Sequence, residues 1–221
     1  MKVLELFAGS RSIGKAAERL GHEVCSVDWQ PFEGIDLVMD INELTIDMLP
    51  FIPDMVWAAP DCTTYSIAAI SHHRNGIAAK SDYAFKCDGV NVHVIFLINR
   101  LLAINPNLKW FIENPRGMMR KMPWMQGLPR TTVWYCTYGK EEIRAKPTDI
   151  WSNHLFSLFN YDGWIPNPPC HNDNPNCHHE RAPRGSKTGT QGLSGSYERS
   201  MYPEKLCVDV INSVANLYEK V

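Results

Sequence analysis

Leu4-Glu5-Leu6-Phe7-Ala8-Gly9-Ser10-Arg11-Ser12-Ile13-Gly14, near the head of the chain, is the stretch that decides the fold. Lys2 to Phe7 reads as a short buried strand that breaks at Ala8-Gly9-Ser10. Ile13, Ala16, Ala17 and Leu20 then recur at helical spacing over Ser10 to Leu20, and Gly21 offers a C-cap. Outward from there the alternation repeats. Strands are expected over His22 to Val27, Ile35 to Val38, Asp54 to Ala59 and Lys109 to Ile112, with a short helix or turn over Ile41 to Leu49 and a long helix over Tyr83 to Ile104. This order predicts an α/β fold, a three-layer sandwich whose mostly parallel sheet is covered by helices on both faces. Gly9, Asp28, Asp40, Cys62 and Glu113 all fall where strands end. In such sheets ligands bind outside those ends.

The second half changes character. Thr131 to Tyr138 is aromatic and β-branched and reads as a strand; Trp151 to Phe159 is a candidate for another. Residues 160–202 are rich in Pro, Gly, Asn and Ser and read as an irregular, substrate-facing lobe on a catalytic domain of residues 1–159. Pro203 to Val221 closes the chain as a helix, with Leu206, Val210, Val214 and Leu217 on the face expected to pack back on that domain.

The 221 residues carry a net charge of -2, which excludes a uniformly basic nucleic-acid coat but not a local basic groove. The 7 cysteines are odd in number and scattered, against a disulfide scaffold and in favour of a reduced, cytoplasmic setting. Glu5 interrupts the first apolar run, so no leader peptide is expected. No membrane partner is expected either: the longest apolar candidate, Val90 to Ile104, contains Asn91, His93, Asn99 and Arg100 and falls short of about 18 residues.

The strand-end residues suit a nucleoside ligand. The small-residue turn at Ala8-Gly9-Ser10 admits a ligand to the backbone and the helix N-terminus. A dinucleotide site would want G-x-G-x-x-G, and only Gly9 and Gly14 are present. Asp28 is placed to accept from ribose hydroxyls, Trp29 to stack on an adenine, and Asp40 to accept from its amine. S-adenosylmethionine, a nucleoside without a diphosphate, fits this set. Cys62, after the fourth strand, and Glu113, after the fifth, face the same cleft. A thiolate that adds to C6 of a pyrimidine, with an acid at N3, turns C5 into a carbon nucleophile. A loop rim and a nearby helix N-terminus are expected to lower the thiol pKa.

These motifs resemble the cytosine-C5 DNA methyltransferases, in particular small phage or prophage members. Leu4 to Gly14 (LELFAGSRSIG) resembles D-x-F-A-G-x-G-G, Ala59 to Ser66 (APDCTTYS) resembles P-P-C-x-x-F-S, and Ile112 to Arg116 (IENPR) resembles the Glu-Asn-Val motif. The resemblance covers residues 1–116 and implies a class-I, Rossmann-like methyltransferase fold acting on cytosine C5 in DNA as a monomer, in a bacterial or phage-infected cytoplasm. It implies Cys62 as nucleophile and Glu113 at N3. Phe7, Ala8, Gly9, Ser10, Asp28, Trp29, Asp40 and Pro60 would form the cofactor pocket. Arg144 and Lys146 are the best substitutes for the family's Q-x-R-x-R pair. Arg11 and Ser12 stand in place of the paired glycines, Asp61 in place of the second proline, and Pro115 in place of valine. A full-size target-recognition region has no room here. RNA, a free pyrimidine nucleotide, or an inert nucleic-acid-binding protein therefore stay open as alternatives.

Two further segments carry expectations. Ser66 to Asp82, with His72, His73, Arg74 and Lys80, reads as a basic loop, and the resemblance implies that it closes over a flipped base. The run Arg181 to Gly192, with Arg184 and Lys187, reads together with Arg130, Arg144 and Lys146 as a DNA-facing surface. Cys170, His171, Cys177, His178 and His179 supply zinc-type donors within ten residues. The expected ligands are Cys170, Cys177 and His178, completed by His171 or by a distant cysteine such as Cys136.

Overall fold

The computed structural model describes residues 1–67, 69–180 and 196–219. The run Arg181 to Gly192 therefore lies outside the described residues, as does part of the 160–202 lobe. In chain order the elements are β1 (Lys2–Leu6), α1 (Ser12–Arg19), β2 (Glu23–Asp28), β3 (Leu37–Val38), β4 (Met55–Ala58), α2 (Ile70–His73), β5 (Arg74–Asn75), β6 (Ala78–Ala79), α3 (Asp82–Ile104), β7 (Lys109–Pro115), β8 (Arg130–Trp134), β9 (Pro147–Ser152), α4 (Ser196–Ser200) and α5 (Glu204–Glu219). Seven strands form one sheet in the order β3-β2-β1-β4-β7-β9-β8. The first five run parallel, and β9 is antiparallel to both its neighbours. The order reverses beside β1, so β1 and β4 splay their outgoing loops to opposite sides and open a crevice between them.

Period-two alternation builds two cores. Leu4, Leu6, Val56, Ala58, Trp110 and Ile112 point to one face, under Leu97 and Leu101 of α3. Val3, Met55, Trp57 and Phe111 point to the other, under Ile13 and Ala17 of α1 and Leu206, Val210 and Val214 of α5. The α3 helix starts at Ser81, whose hydroxyl accepts from the Ala84 amide at 3.1 Å. By length and composition α3 could cross a bilayer, contrary to the shorter apolar run read from sequence; in the fold its Val94, Leu97, Ile98 and Leu101 face is buried in the core.

The same alternation puts Glu5 on the α1 face, where it is fully buried. Its carboxylate accepts from the Ile13 amide and the Ser26 hydroxyl, each at 3.1 Å. A Cβ on Gly14 would lie 2.6 Å from its Oε2, so glycine is required there. Burial pushes the Glu5 pKa from 4.5 up to about 7. The folded chain thus keeps a proton that the unfolded chain loses above 4.5. The stability linked to it is complete below that pH and is lost as pH rises through about 7. Urea titrations at pH 5 and pH 8 should show a loss of about 3 kcal/mol from this group, with a visibly flatter dependence in Glu5→Gln.

The edge of the sheet departs from the sequence reading. The strand expected over Thr131 to Tyr138 stops at Trp134, and Tyr135–Tyr138 coil into a 3-10 turn. The strand expected over Trp151 to Phe159 lies instead at Pro147–Ser152. Proline opens it, and Asp149 in its middle is polar but fully buried, which disguised it. The Asp149 carboxylate is matched by Arg120 Nε at 2.8 Å and the Thr132 hydroxyl at 2.7 Å. Asp149→Ala strands the Arg120 guanidinium and should cost about 3–5 kcal/mol in urea unfolding. A loss under about 1 kcal/mol would contradict this pairing.

Candidate active site

The β1–α1 turn is held in left-handed backbone. Phe7, Gly9 and Arg11 have φ of 57°, 48° and 56°. Arg11 therefore occupies a conformation in which glycine is at ease, which accounts for glycine in the resembled motif. Arg11 is retained by its surroundings: Nε donates to Ser26 Oγ at 3.0 Å, and the guanidinium pairs with Glu18. The Gly9 amide donates to Asp28 Oδ2 and the Gln30 amide to Asp28 Oδ1, both at 2.9 Å. Each carboxylate oxygen keeps acceptor capacity for a hydroxyl. Trp29 beside it is 67% exposed, an open indole face at the strand end. Asp40 caps the 3-10 turn Ile41–Glu43 through the Asn42 amide at 3.0 Å and pairs with Lys86 at 3.2 Å. The turn, the ribose-type carboxylate and the open indole fit a nucleoside cofactor. Asp40 serves as a helix cap in this state.

The loop after β4 carries Cys62. The Asn114 amide in β7 donates to the Pro60 carbonyl at 2.9 Å and ties this loop to the next strand. Asp61 accepts from the Thr63 amide and from the Tyr83 hydroxyl, both at 2.5 Å, which fastens the loop to α3. Cys62 lies half-buried between them. Its thiol is pushed up from 9.0 to about 11 by burial, then by the charges of Asp61 and Glu113, with Lys146 opposing. The expected lowering is therefore corrected: Asp61, which replaces a proline of the motif, adds a negative neighbour.

Glu113 in β7 is buried, and Tyr202 donates to its Oε2 at 3.0 Å. Its Oε1 is buried without a partner among the described residues. Burial raises its pKa above 4.5, against the pull of Lys146 and Tyr202. Lys146 is deeply placed, its Nζ 4.7 Å above the Tyr135 ring, and desolvation lowers its pKa against the attraction of Glu113. Arg144 lies over the same ring: Nε donates to Glu142 at 2.7 Å, and the guanidinium is 5.3 Å from the Tyr135 ring. Glu113 and Lys146 act on Cys62 by their charges, and Arg144 acts on Lys146. Tyr202 went unnoticed in the sequence because it sits alone before a helix, with no motif around it.

The segment after Cys62 also differs from its reading. Arg74 is buried, donates to the Thr64 carbonyl at 2.9 Å and pairs with Asp88 at 2.5 Å. It is a structural cation that holds the loop to α3. Arg130 is exposed and lies 6.0 Å from the Trp151 ring. Cys136, Cys170, Cys177 and His179 bring their donor atoms within 4.8 Å of one another. His178 turns away, its Nε2 at 3.1 Å from the Glu142 carbonyl, so His179 replaces it in the expected donor set and Cys136 takes the fourth place.

No protein-family model matches the chain. It is 26% identical over 225 residues to the "Probable DNA (cytosine-5)-methyltransferase" of Frog virus 3 (isolate Goorha), covering 96% of this chain and 99% of that relative. Among solved structures it is similar to the Entamoeba histolytica methyltransferase EhMeth, with a TM-score of 0.58 at 12% identity over 99% of this chain and 98% of that one. It is also similar to a protein named as a DNA modification methyltransferase encoded within an E. coli prophage, with a TM-score of 0.50 at 15% identity. That match covers 69% of this chain, which spans about half of the prophage protein (46%). The structural likenesses establish the Rossmann-like fold, and the viral relative carries the sequence resemblance across the whole chain.

Proposed function

We propose that this chain, a small member of the cytosine-C5 DNA methyltransferase family, methylates C5 of cytosine in DNA through a covalent Cys62 adduct. The observation that carries the reading is the pairing of Cys62 with Glu113, a buried carboxyl whose Oε1 has no partner among the described residues. A pyrimidine edge brought into the site would satisfy that oxygen. Glu113, already inclined to hold a proton, gives it to N3 as Cys62 Sγ bonds to C6. The electron pair of the C5–C6 double bond moves onto C5. S-adenosylmethionine, when held at Gly9, Asp28 and Trp29, supplies the methyl group that C5 takes. Loss of the C5 proton to a base, departure of Cys62 as thiolate and return of the N3 proton to Glu113 restore the ring and the site.

The remaining residues set this chemistry up. Tyr202 fixes the Glu113 carboxyl, Asn114 fixes the Pro60 loop, and Lys146 favours the Cys62 thiolate, while burial outweighs its pull on Glu113. A duplex base must be extruded to reach the site, at a cost of about a few kcal/mol. Labelled S-adenosylmethionine offered with duplex DNA, single-stranded DNA, RNA and dCMP tests the substrate class. Label in 5-methylcytosine from DNA supports the reading. Label from RNA or dCMP alone would move the substrate, and label from none would favour a binding protein.

A further inference from the structure

From the four donors of Cys136, Cys170, Cys177 and His179 we infer that the chain binds one structural zinc ion, which fastens the irregular lobe of residues 153–180 to the turn that carries Tyr135. All seven cysteines are free thiols. Cys170, Cys177 and His179, close in sequence, are joined by the distant Cys136 in a patch separate from both main cores. Their donor atoms lie within 4.8 Å of one another, and Cys170 Sγ is 3.7 Å from His179 Nδ1. A tetrahedral Cys3His zinc with Zn–S of about 2.3 Å sets sulfurs about 3.8 Å apart, so the set needs only a small contraction.

The surroundings match a metal ligand shell. His179 Nε2 lies 3.2 Å from the Asn172 carbonyl. A proton on Nε2 leaves the Nδ1 lone pair aimed at the cysteines, the usual second partner of a zinc-bound histidine. The Asn174 amide donates to Cys170 Sγ at 3.4 Å, a bond suited to a thiolate. The segment that carries three of the four donors has little regular backbone of its own. Among the described residues after β9 and before α4 there is no regular helix or strand, only isolated bridges such as Arg144 with Glu180 and Leu155 with Trp164. A buried metal supplies what such a segment lacks in apolar core.

The site also touches the chemistry indirectly. Cys136 follows Tyr135, whose ring lies under Lys146 at 4.7 Å and Arg144 at 5.3 Å. Zinc on Cys136 would anchor the turn that carries Tyr135. Tyr135 is thus a positioning residue, and the zinc a support of it.

The test is metal content of the full chain after purification under reducing conditions, with cobalt(II) as a spectroscopic probe. About one zinc per chain is expected, and cobalt added to chelator-treated protein should show thiolate charge-transfer and tetrahedral absorption bands. Asn174→Ala should weaken apparent zinc affinity by about 10- to 100-fold, and His179→Ala by more, while His178→Ala leaves it unchanged. Zinc should raise the thermal midpoint of the wild type but not of Cys170→Ser, a readout independent of methyl transfer. Folded wild type that takes up neither zinc nor cobalt would overturn the proposal. So would a disulfide among the three cysteines in protein kept reduced, or loss of metal from the His178 variant and not from the His179 variant.

Discussion

Cys62→Ala lowers methyl transfer by at least about 10⁴-fold, the scale on which removing a covalent nucleophile acts. The effect is confined to chemistry because Cys62 carries none of the core. Its loop is held by Asn114 on Pro60 and by Thr63 and Tyr83 on Asp61, and none of these bonds involves the thiol. Cofactor affinity should stay within about 2-fold of wild type, since the residues proposed to hold it are on the β1 and β2 ends. Single-turnover methylation with equilibrium cofactor binding checks both halves. A variant retaining a tenth of the wild-type rate would remove Cys62 from the mechanism.

Glu113→Gln should lower kcat by about 10²- to 10⁴-fold at neutral pH, as for loss of a general acid. It should also change the shape of the pH profile. The competent state needs a thiolate on Cys62 and a proton on Glu113. This is one proton fewer than the fully protonated pair, and it is isoprotic with the thiol–carboxylate form. Wild-type kcat/KM should therefore rise through the raised Glu113 pKa and hold a plateau. It should fall as Cys62 ionises near about 11 and the second proton is lost. With glutamine only the thiol titrates, so the plateau disappears and the rate climbs with pH toward the Cys62 value. An unchanged plateau in the variant would separate Glu113 from the proton that N3 receives.

The parallel part of this fold was legible because its signals are local. Short apolar runs ending in Gly9, Asp28, Cys62 and Glu113 mark strands and their ends together; Asp28 ends β2, Gly9 and Cys62 follow β1 and β4 in their loops, and β7 runs on past the expected end at Ile112 to Pro115, because Glu113 and Asn114 pair with Ile150 and Asp149 of β9. The antiparallel edge was less legible. Asp149 looks like a loop acid until Arg120 and Thr132, far off in sequence, are brought against it. The same holds for electrostatics: the motif around Cys62 suggests an activated thiol, whereas burial and Asp61 hold it protonated. Tyr202 reaches Glu113 across 89 residues, and Cys136 reaches Cys170 only when the chain has folded back. Of neighbouring histidines, backbone direction alone decides that His179 and not His178 faces the cysteines.

The most direct test of the account uses DNA in which the target cytosine bears fluorine at C5. The fluorine cannot leave as a proton does, so an adduct made by addition and methylation cannot eliminate its sulfur. With S-adenosylmethionine present, chain and oligonucleotide should form a stable complex, whose digestion yields a single cross-linked peptide modified at Cys62. DNA that binds the folded protein without any such adduct, or an adduct at another residue, would contradict it.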